Sequence, residues 1–309
     1  KISDEAVNSN NLKLLPVGTF VIAIYGLEAD GVRGTCSITA SESTISQACM
    51  AFISKKDIAN EFLYAWYKKH GNVIGIRYAQ GTKQQNLSYD IIEKFNISYP
   101  RIEEQEKLIR FISLIDERIS TQNKIIEELE TLIKGIIEAV ISSQRPNTLI
   151  KDCLECNSST LQESQVAENG SFPVYGATGI SGYTETADVN DESILIIKDG
   201  SGVGTVKFVT GEYSYIGTLN RLIAKDCYHL KYIYFALQGF SFEPYKTGMA
   251  IPHIYFKDYG TARIYCPSYA KQKHIADVLG KLENKLFLEQ NILASFSLQK
   301  RYLLGQMFI

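Results

Sequence analysis

The chain has 309 residues, of which 45% are hydrophobic and 21% are charged, and its formal net charge is -2. This length is enough for two ordinary domain cores, because single domains usually run to about 100–200 residues. The near-neutral charge argues against a protein that holds nucleic acid through bulk positive charge alone.

The sequence also lacks the patterns of a membrane span, a secretory leader, a metal site and a catalytic nucleophile. No apolar run of about 18 residues and no secretory leader is visible, so we expect a cytoplasmic protein without a membrane span. Six scattered cysteines are typical of reduced thiols, and the single C-x-x-C at Cys153 and Cys156 has no second pair at zinc spacing. The four histidines show no metal spacing and no nucleophile motif. We therefore expect no metal, no cofactor and no catalytic residue.

Residues 1–100 predict a small β-rich module. The stretches "GTFVIAIYG" and "GVRGTCSIT" resemble "ESILIIKDG" and "GVGTVKFVT" later in the chain, and "EFLYAWYKK" predicts a helix. Residues 1–18 contain no counterpart of the later "LIKDCLECNSSTLQESQVAENGSFPVYGATGISGY". We expect that the sequence begins inside its first module, by design, by natural truncation or through an omitted disordered start.

A polar, glycine-led loop, "AQGTKQQNL" at residues 79–87, follows this helix. Its side chains carry donors and acceptors that suit phosphates and base edges in DNA. The candidates in and beside it are Arg77, Lys83, Gln84, Gln85 and Asn86. The alternative is a solvated loop without a binding role.

Residues 101–145 predict a long helix that begins after Pro100 and ends in the polar linker "SSQRPN". Its apolar residues recur in alternating steps of four and three, which is the a/d pattern of a heptad, and Gln122 fills the one polar position. The seam residues are Leu108, Ile112, Ile115, Ile119, Ile126 and Leu129.

Residues 146–267 contain short β-rich runs broken by glycine, which predict a twisted, mostly antiparallel sheet with a helix near "HLKYIYFALQGF". The glycine-rich "DGSGVGT" precedes a strand, whereas phosphate-binding loops precede a helix, so it predicts a hairpin turn. The loop "KTGMAIPHI" stands at the position equivalent to "AQGTKQQNL". The DNA-contact candidates of this module are Thr178, Lys198, Ser201, Lys246, Thr247 and His253.

Residues 268–309 repeat the first long helix at a constant offset of 167, which pairs Pro100 with Pro267 and Gln105 with Gln272. Glu289 falls on the polar position of Gln122. The second seam consists of Ile275, Leu279, Leu282, Leu286, Leu293 and Phe296. Neither helix can bury such a stripe alone, so we expect an antiparallel coiled coil; the alternative is that each helix lies on its own domain's core.

The predicted fold class is therefore α+β, with two β-rich modules separated and joined by two long helices. The predicted domains are residues 1–100, the abbreviated first module; 101–145, the first helix and linker; 146–267, the second module; and 268–309, the second helix.

This plan resembles the specificity subunit of Type I restriction-modification enzymes over nearly the whole chain. The resemblance is carried by the order and duplication of "LIKDCLE", "ILIIKDGSGVGTVKFV", "YKTGMAIPHI" and "CPSYAKQKHIADVLGKLENKL", with "YAQGTKQQNLSYDIIEKFNISYPRIEEQEKLIRFISLIDERI" as the first-module counterpart.

The resemblance implies that each module is a target recognition domain for one half of a bipartite site in double-stranded DNA. It also implies that the helix pair sets the spacing and docks modification (methyltransferase) subunits, and through them an ATP-dependent restriction subunit. The chain would then be a non-catalytic subunit, in keeping with its lack of a methyltransferase N/D-P-P-Y/F tetrapeptide and of a P-loop.

Two other classes of function remain open from the residues. A helical scaffold could carry two β-modules that bind proteins and have no DNA role, and an enzyme acting alone is a third alternative. Basic residues converging on one face of both modules would favour DNA, whereas scattered basic residues with an apolar patch would favour protein.

Overall fold

The computed structural model describes residues 4–9, 12–55 and 57–307. The chain forms two compact units, one of residues 1–124 with 291–309 and the other of residues 125–290. Within the described residues, no helix is both long enough and apolar enough to cross a lipid bilayer.

The first unit contains a small sheet and the start of a long helix. Its elements are α1 (Asp4–Ser9), β1 (Phe20–Ala23), β2 (Cys36–Ile38), β3 (Cys49–Phe52), α2 (Asn60–Tyr78), α3 (Tyr89–Ile92) and the first part of α4 (Ile102–Ile137). The three strands are antiparallel in the order β2-β1-β3. Alternate residues of β1, Phe20 and Ile22, are buried and pack with Tyr67 and Ile74 of α2, as the period of two in a strand requires.

The second unit contains more strands. After the end of α4 and a π-helical turn (Glu138–Ser142), its elements are β4 (Thr148–Leu149), α5 (Ile150–Cys153), β5 (Leu154–Ser158), β6 (Phe172–Gly176), β7 (Gly179–Thr184), β8 (Val189–Asn190), β9 (Ser193–Ile197), β10 (Val206–Val209), β11 (Glu212–Tyr215), β12 (Leu219–Ala224), α6 (Leu230–Gln238), α7 (Phe256–Tyr259), β13 (Arg263–Ile264) and the first part of α8 (Tyr269–Met307).

These strands form two four-stranded sheets, β10-β9-β12-β5 and β7-β6-β11-β8, and the pair β13-β4. Among the described strand pairs, β6 and β11 are parallel and the others are antiparallel. Every residue of β9 is buried, since α6 packs against the sheet that β9 centres. The mixed α+β class, with two β-rich regions and long helices, is therefore confirmed.

The two modules arrange three equivalent strands in the same order, β2-β1-β3 and β10-β9-β12. Phe20 of β1 pairs with Phe52 of β3, as Ile194 of β9 pairs with Leu222 of β12. On the other side, β1 pairs with β2 as β9 pairs with β10, which is the hairpin predicted at "DGSGVGT". The internal repeat therefore extends from the sequence to the hydrogen-bond ladder.

Each long helix begins two residues after its proline, as predicted, and carries a buried glutamine in its first turn. Gln105 donates from Nε2 to the Pro100 carbonyl at 2.8 Å, and its Oε1 accepts from the backbone N–H of Ala59 at 2.9 Å. Ala59 is the N-cap of α2. The glutamine thus satisfies a backbone donor at the start of one helix and a carbonyl at the start of another.

Gln272 repeats this arrangement in the second unit. Its Nε2 donates to the Pro267 carbonyl at 2.8 Å, and its Oε1 accepts from the backbone N–H of His229 at 2.9 Å. His229 is the N-cap of α6. Each module helix is therefore attached to its own long helix by an amide side chain.

Candidate nucleic-acid interface

The glycine-led loop of the first module is a closed turn that follows α2. Gln80 and Asn86 exchange two backbone hydrogen bonds of 2.9 Å at its base. Gly81 has a φ of +115°, and a Cβ there would lie 2.0 Å from the Gln84 carbonyl oxygen. This backbone conformation excludes an ordinary side chain at position 81, so the glycine is required for the shape of the loop.

The second module has the same turn at the same offset of 167. Thr247 and His253 exchange backbone hydrogen bonds of 2.9 and 2.8 Å. Gly248 has a φ of +88°, and a Cβ there would lie 2.3 Å from the Ile251 carbonyl oxygen. The two loops are thus equivalent in closure as well as in sequence position.

The first-module candidates divide into exposed side chains and side chains engaged within the module. Arg77, Lys83 and Gln84 are exposed, and Gln85 and Asn86 are half-buried.

Gln85 is held by neighbouring residues. Its Oε1 accepts from Nη2 of Arg33 at 2.7 Å, and its backbone N–H donates to Oε2 of Glu28 at 2.7 Å. This backbone donor lowers the pKa of the Glu28 carboxyl below its ordinary value. By contrast, Asn86 Oδ1 is buried and has no hydrogen-bond partner among the described residues. Gln85 therefore positions the loop, while Lys83 and Gln84 are free to contact a ligand.

In the second module, two loops that are far apart in sequence are joined by backbone hydrogen bonds. Gly200 donates to the Pro252 carbonyl at 3.0 Å, and Ile254 donates to the Lys198 carbonyl at 2.9 Å. These bonds bring four candidates together, namely Lys198, Ser201, Thr247 and His253. We call this group the second-module loop cluster.

The remaining second-module candidates lie beside this cluster or are engaged elsewhere. Thr178 is exposed in the turn between β6 and β7, where it lines a cavity of about 210 Å³ together with Ile197 at the end of β9. Lys246 forms an ion pair with Glu243. Its ammonium is therefore partly neutralised within the module.

Two apolar residues at the tip of the second loop were not among the sequence candidates. Met249 is 107% exposed and Ile251 is 66% exposed. Their presence in a loop that also carries polar residues was the sequence signal that could have identified them as candidates for DNA contact. Apolar side chains contact thymine methyl groups or insert between base steps.

The twelve predicted seam residues all lie on the less exposed face of their helices. Ile275 and Leu279 are buried, and the other ten are half-buried. In the first unit, Leu108 and Ile112 of α4 and Leu304 of α8 pack against the same pair of α2 residues, Phe62 and Ala65.

Further contacts join parts of the long helices within each unit. In the first unit, the ammonium of Lys300 on α8 forms an ion pair with Asp116 on α4. In the second unit, Ile133 and Ile137 of α4 and Leu286 of α8 line one cavity of about 400 Å³.

The described residues contain no group of three or more His, Cys, Asp or Glu side chains placed to hold a metal ion. Cys153 Sγ lies 3.7 Å from the sulfur of Cys266. The candidate site consists of loops that offer hydrogen-bond donors, acceptors and exposed apolar side chains.

The family model of the Type I restriction modification DNA specificity domain matches the chain twice, at residues 1–131 and 149–296. Each match covers all or nearly all of one module and part of the helix that follows it.

Solved structures share the fold. The crystal structure of a Type I restriction-modification system S subunit from M. genitalium superposes with a TM-score of 0.72 at 18% identity, over 96% of this chain and 84% of that one. A chain from a structural study of complex assembly and conformational transition of the type I R-M system superposes with a TM-score of 0.55 at 14% identity, over 95% and 82%.

Proposed function

The chain belongs to the Type I restriction modification DNA specificity domain family, and we propose that it is a specificity subunit whose modules each recognise half of a bipartite DNA site. In this proposal residues 1–100 and 146–267 are the target recognition domains. Residues 101–145 and 268–309 are the helices that separate and join them.

The observation that carries this proposal is the pair of equivalent loops. Both modules present a turn closed by the same backbone bridge, at Gln80 with Asn86 and at Thr247 with His253. The two turns carry different side chains on the same backbone. Because base edges are distinguished by the pattern of donors and acceptors that meets them, one scaffold with two loop sequences suits recognition of two different half-sites.

Contacts in both units support an antiparallel pairing of α4 and α8. The Lys300–Asp116 ion pair joins the late part of α8 to the first half of α4. Leu286, near the middle of α8, packs against the same core cluster as Ile133 in the late part of α4. The helices have 36 and 39 residues, so at about 1.5 Å per residue each is roughly 55 Å long. A rigid pair of this length would set the gap between half-sites.

The partners in this proposal are double-stranded DNA and modification (methyltransferase) subunits, with a restriction subunit bound through them. The specificity subunit itself is non-catalytic in this scheme, and the methyl transfer and ATP-driven steps belong to its partners. Those partners would also contribute to the neutralisation of DNA phosphates, because this chain has a formal net charge of -2 and therefore no net positive charge of its own.

The test is to co-express the chain with a modification subunit and to map methylated adenines across the host genome. We expect a two-part motif with one fixed gap. Replacing Lys83 and Gln84 with alanine should alter one half of the motif and leave the other half and the gap unchanged.

A matched control is the double substitution of the exposed helix residues Asn123 and Lys124 with alanine, which should leave the motif unchanged. If a stable complex forms and no new methylation appears, the DNA-recognition proposal fails for this chain. The scaffold with two protein-binding modules would then be the better description.

A further inference from the structure

Each module has its own equivalent sheet, and the two sheets differ at one edge. In the second module, β12 pairs with β9 on one side and with β5 on the other. In the first module, the equivalent strand β3 is the edge strand of the sheet β2-β1-β3. Ile53, directly after β3, is 62% exposed. An apolar edge of this kind is suited to pairing with a further strand.

In the second module, β5 occupies this edge by pairing with β12 over residues 154–158, and the residues just before it bond to a second segment, 260–264. The N–H groups of Asn147, Ile150 and Lys151 donate to the carbonyls of Ile264, Ala262 and Gly260 at 3.1, 2.9 and 2.9 Å. The side chains of Ile150, Cys153 and Leu154 in the same segment are 0% exposed.

The acceptor positions have direct equivalents in the first module. At the offset of 167, Ile264, Ala262 and Gly260 correspond to Ile97, Phe95 and Glu93.

These three first-module residues line an apolar cavity of about 470 Å³. The other side of the cavity is formed by apolar residues of α2, including Leu63 and Trp66. The cavity of the first module therefore lies at the position that is equivalent to the one occupied by residues 147–158 in the second module.

The exposure of equivalent residues agrees with a surface that is covered in one module and open in the other. Cys266 is 8% exposed, whereas its equivalent Tyr99 is 48% exposed. Counting from the N-caps of α2 and α6, Leu63 corresponds to Ile233, which is 0% exposed, and Leu63 is half-buried.

We propose that this cavity binds a peptide segment with the chemistry of residues 147–158, namely two short strands joined by one helical turn whose apolar side chains, Ile150 and Cys153, are buried. Binding would add a strand to the free edge of β3 and would bury the apolar side chains of the helical turn among Trp66, Leu63 and Ile97. Main-chain pairing would supply the register and the apolar pocket would supply the specificity.

Charge further defines the occupant. A Cβ added at Gly260 would lie 3.3 Å from the Cβ of Lys151. Glu93 is the first-module equivalent of Gly260. Its side chain would therefore leave the backbone beside the peptide residue that corresponds to Lys151, with its carboxylate within reach of that residue. A basic residue at that position of the peptide would therefore be favoured, and an acidic one would be repelled.

Trp66 is the single tryptophan of the chain and lines the cavity, so its fluorescence reports directly on occupancy. The experiment is a titration of the full chain, under reducing conditions, with the synthetic peptide NTLIKDCLECNS, which has the sequence of residues 147–158. We expect a saturable blue shift of the emission maximum, because a segment that fills the cavity excludes water from the indole. A peptide with aspartate at the positions of Ile150 and Leu154 should give no shift.

A charge exchange tests the register. Lys151→Glu in the peptide should weaken binding to the unaltered chain, and Glu93→Lys in the chain should restore binding of that altered peptide. Glu93 is exposed, so this substitution should leave the fold intact.

No spectral change at any peptide concentration, with unaltered circular dichroism, would overturn the proposal. So would a protein-concentration-dependent shift of Trp66 emission without peptide, since the occupant would then be a second copy of the chain. The assay uses neither DNA nor a methyltransferase, so its outcome is independent of the proposed DNA recognition.

Discussion

The backbone N–H of His229 donates a 2.9 Å hydrogen bond to the side-chain oxygen of Gln272, which is itself only 2% exposed. The side-chain nitrogen of Gln272 donates to the carbonyl of Pro267. One side chain thus couples the first residue of α6 to the start of α8.

Replacement of Gln272 with leucine should lower the melting temperature of the chain. The substitution leaves a buried N–H and a buried carbonyl without their partner, and each unsatisfied group costs about 1–3 kcal/mol. Thermal unfolding followed by circular dichroism measures the effect. Gln290→Leu, at an exposed position of the same helix, is the control and should change little. Equal melting temperatures for both variants would show that the coupling does not contribute to stability.

In the first-module loop, Lys83→Ala with Gln84→Ala should change recognition of one half-site without changing stability, because both side chains are exposed. Gln85→Ala should instead loosen the loop, since it removes the acceptor for Arg33. A binding-selection assay on the assembled complex, paired with thermal unfolding, separates the two effects. An unchanged sequence preference in the double variant would remove Lys83 and Gln84 from the site.

Gly81→Ala and Gly248→Ala should each disrupt one loop. A Cβ at either position meets a carbonyl oxygen, at 2.0 Å for Gly81 and 2.3 Å for Gly248, and both residues have positive φ. Each variant should therefore impair recognition of a different half-site, as read by methylation mapping.

Gly135→Ala is the matched control for these loop variants. Its Cβ would meet nothing within 4 Å in the interior of α4, so it should stabilise the helix by about 0.5–1 kcal/mol. Full methylation of both half-sites by the Gly81 and Gly248 variants would contradict a role for the loops.

Ile119→Asp should lower the melting temperature, because Ile119 lies on the less exposed face of α4 and a carboxylate there loses hydration without gaining a partner. A loss of roughly 1–3 kcal/mol is expected. Ser120→Asp introduces the same side chain at the neighbouring exposed position and should be nearly neutral. If the two variants unfold at the same temperature, Ile119 is outside any helix contact.

Much of the fold was predictable because it depends on local pattern. Turn residues, strand alternation and a heptad stripe are encoded within short windows, so the long helices, the hairpin after β9 and the position of α6 followed from the sequence. The constant offset of 167 also places the two glycine-led loops at equivalent positions of the repeat.

The candidate site was less predictable because its residues are defined by contacts between distant segments. Gln85 is a candidate as a polar loop residue, yet Arg33, 52 positions earlier, occupies its side chain. Met249 is apolar and therefore no candidate for polar contacts, although the fold leaves it fully exposed. The residues beside Gln85 in sequence give no sign of its bond to Arg33, because that bond joins segments 52 positions apart.

The alternation of two modules with two long helices can be read from the amino-acid sequence, because helical and strand periodicity act over a few residues. The fold was needed to show which backbone groups meet, such as Gly200 with Pro252, and where the first module remains open beside Trp66. Backbone pairing and burial depend on the three-dimensional path of the chain, which brings together groups whose separation in sequence carries no signal of their contact.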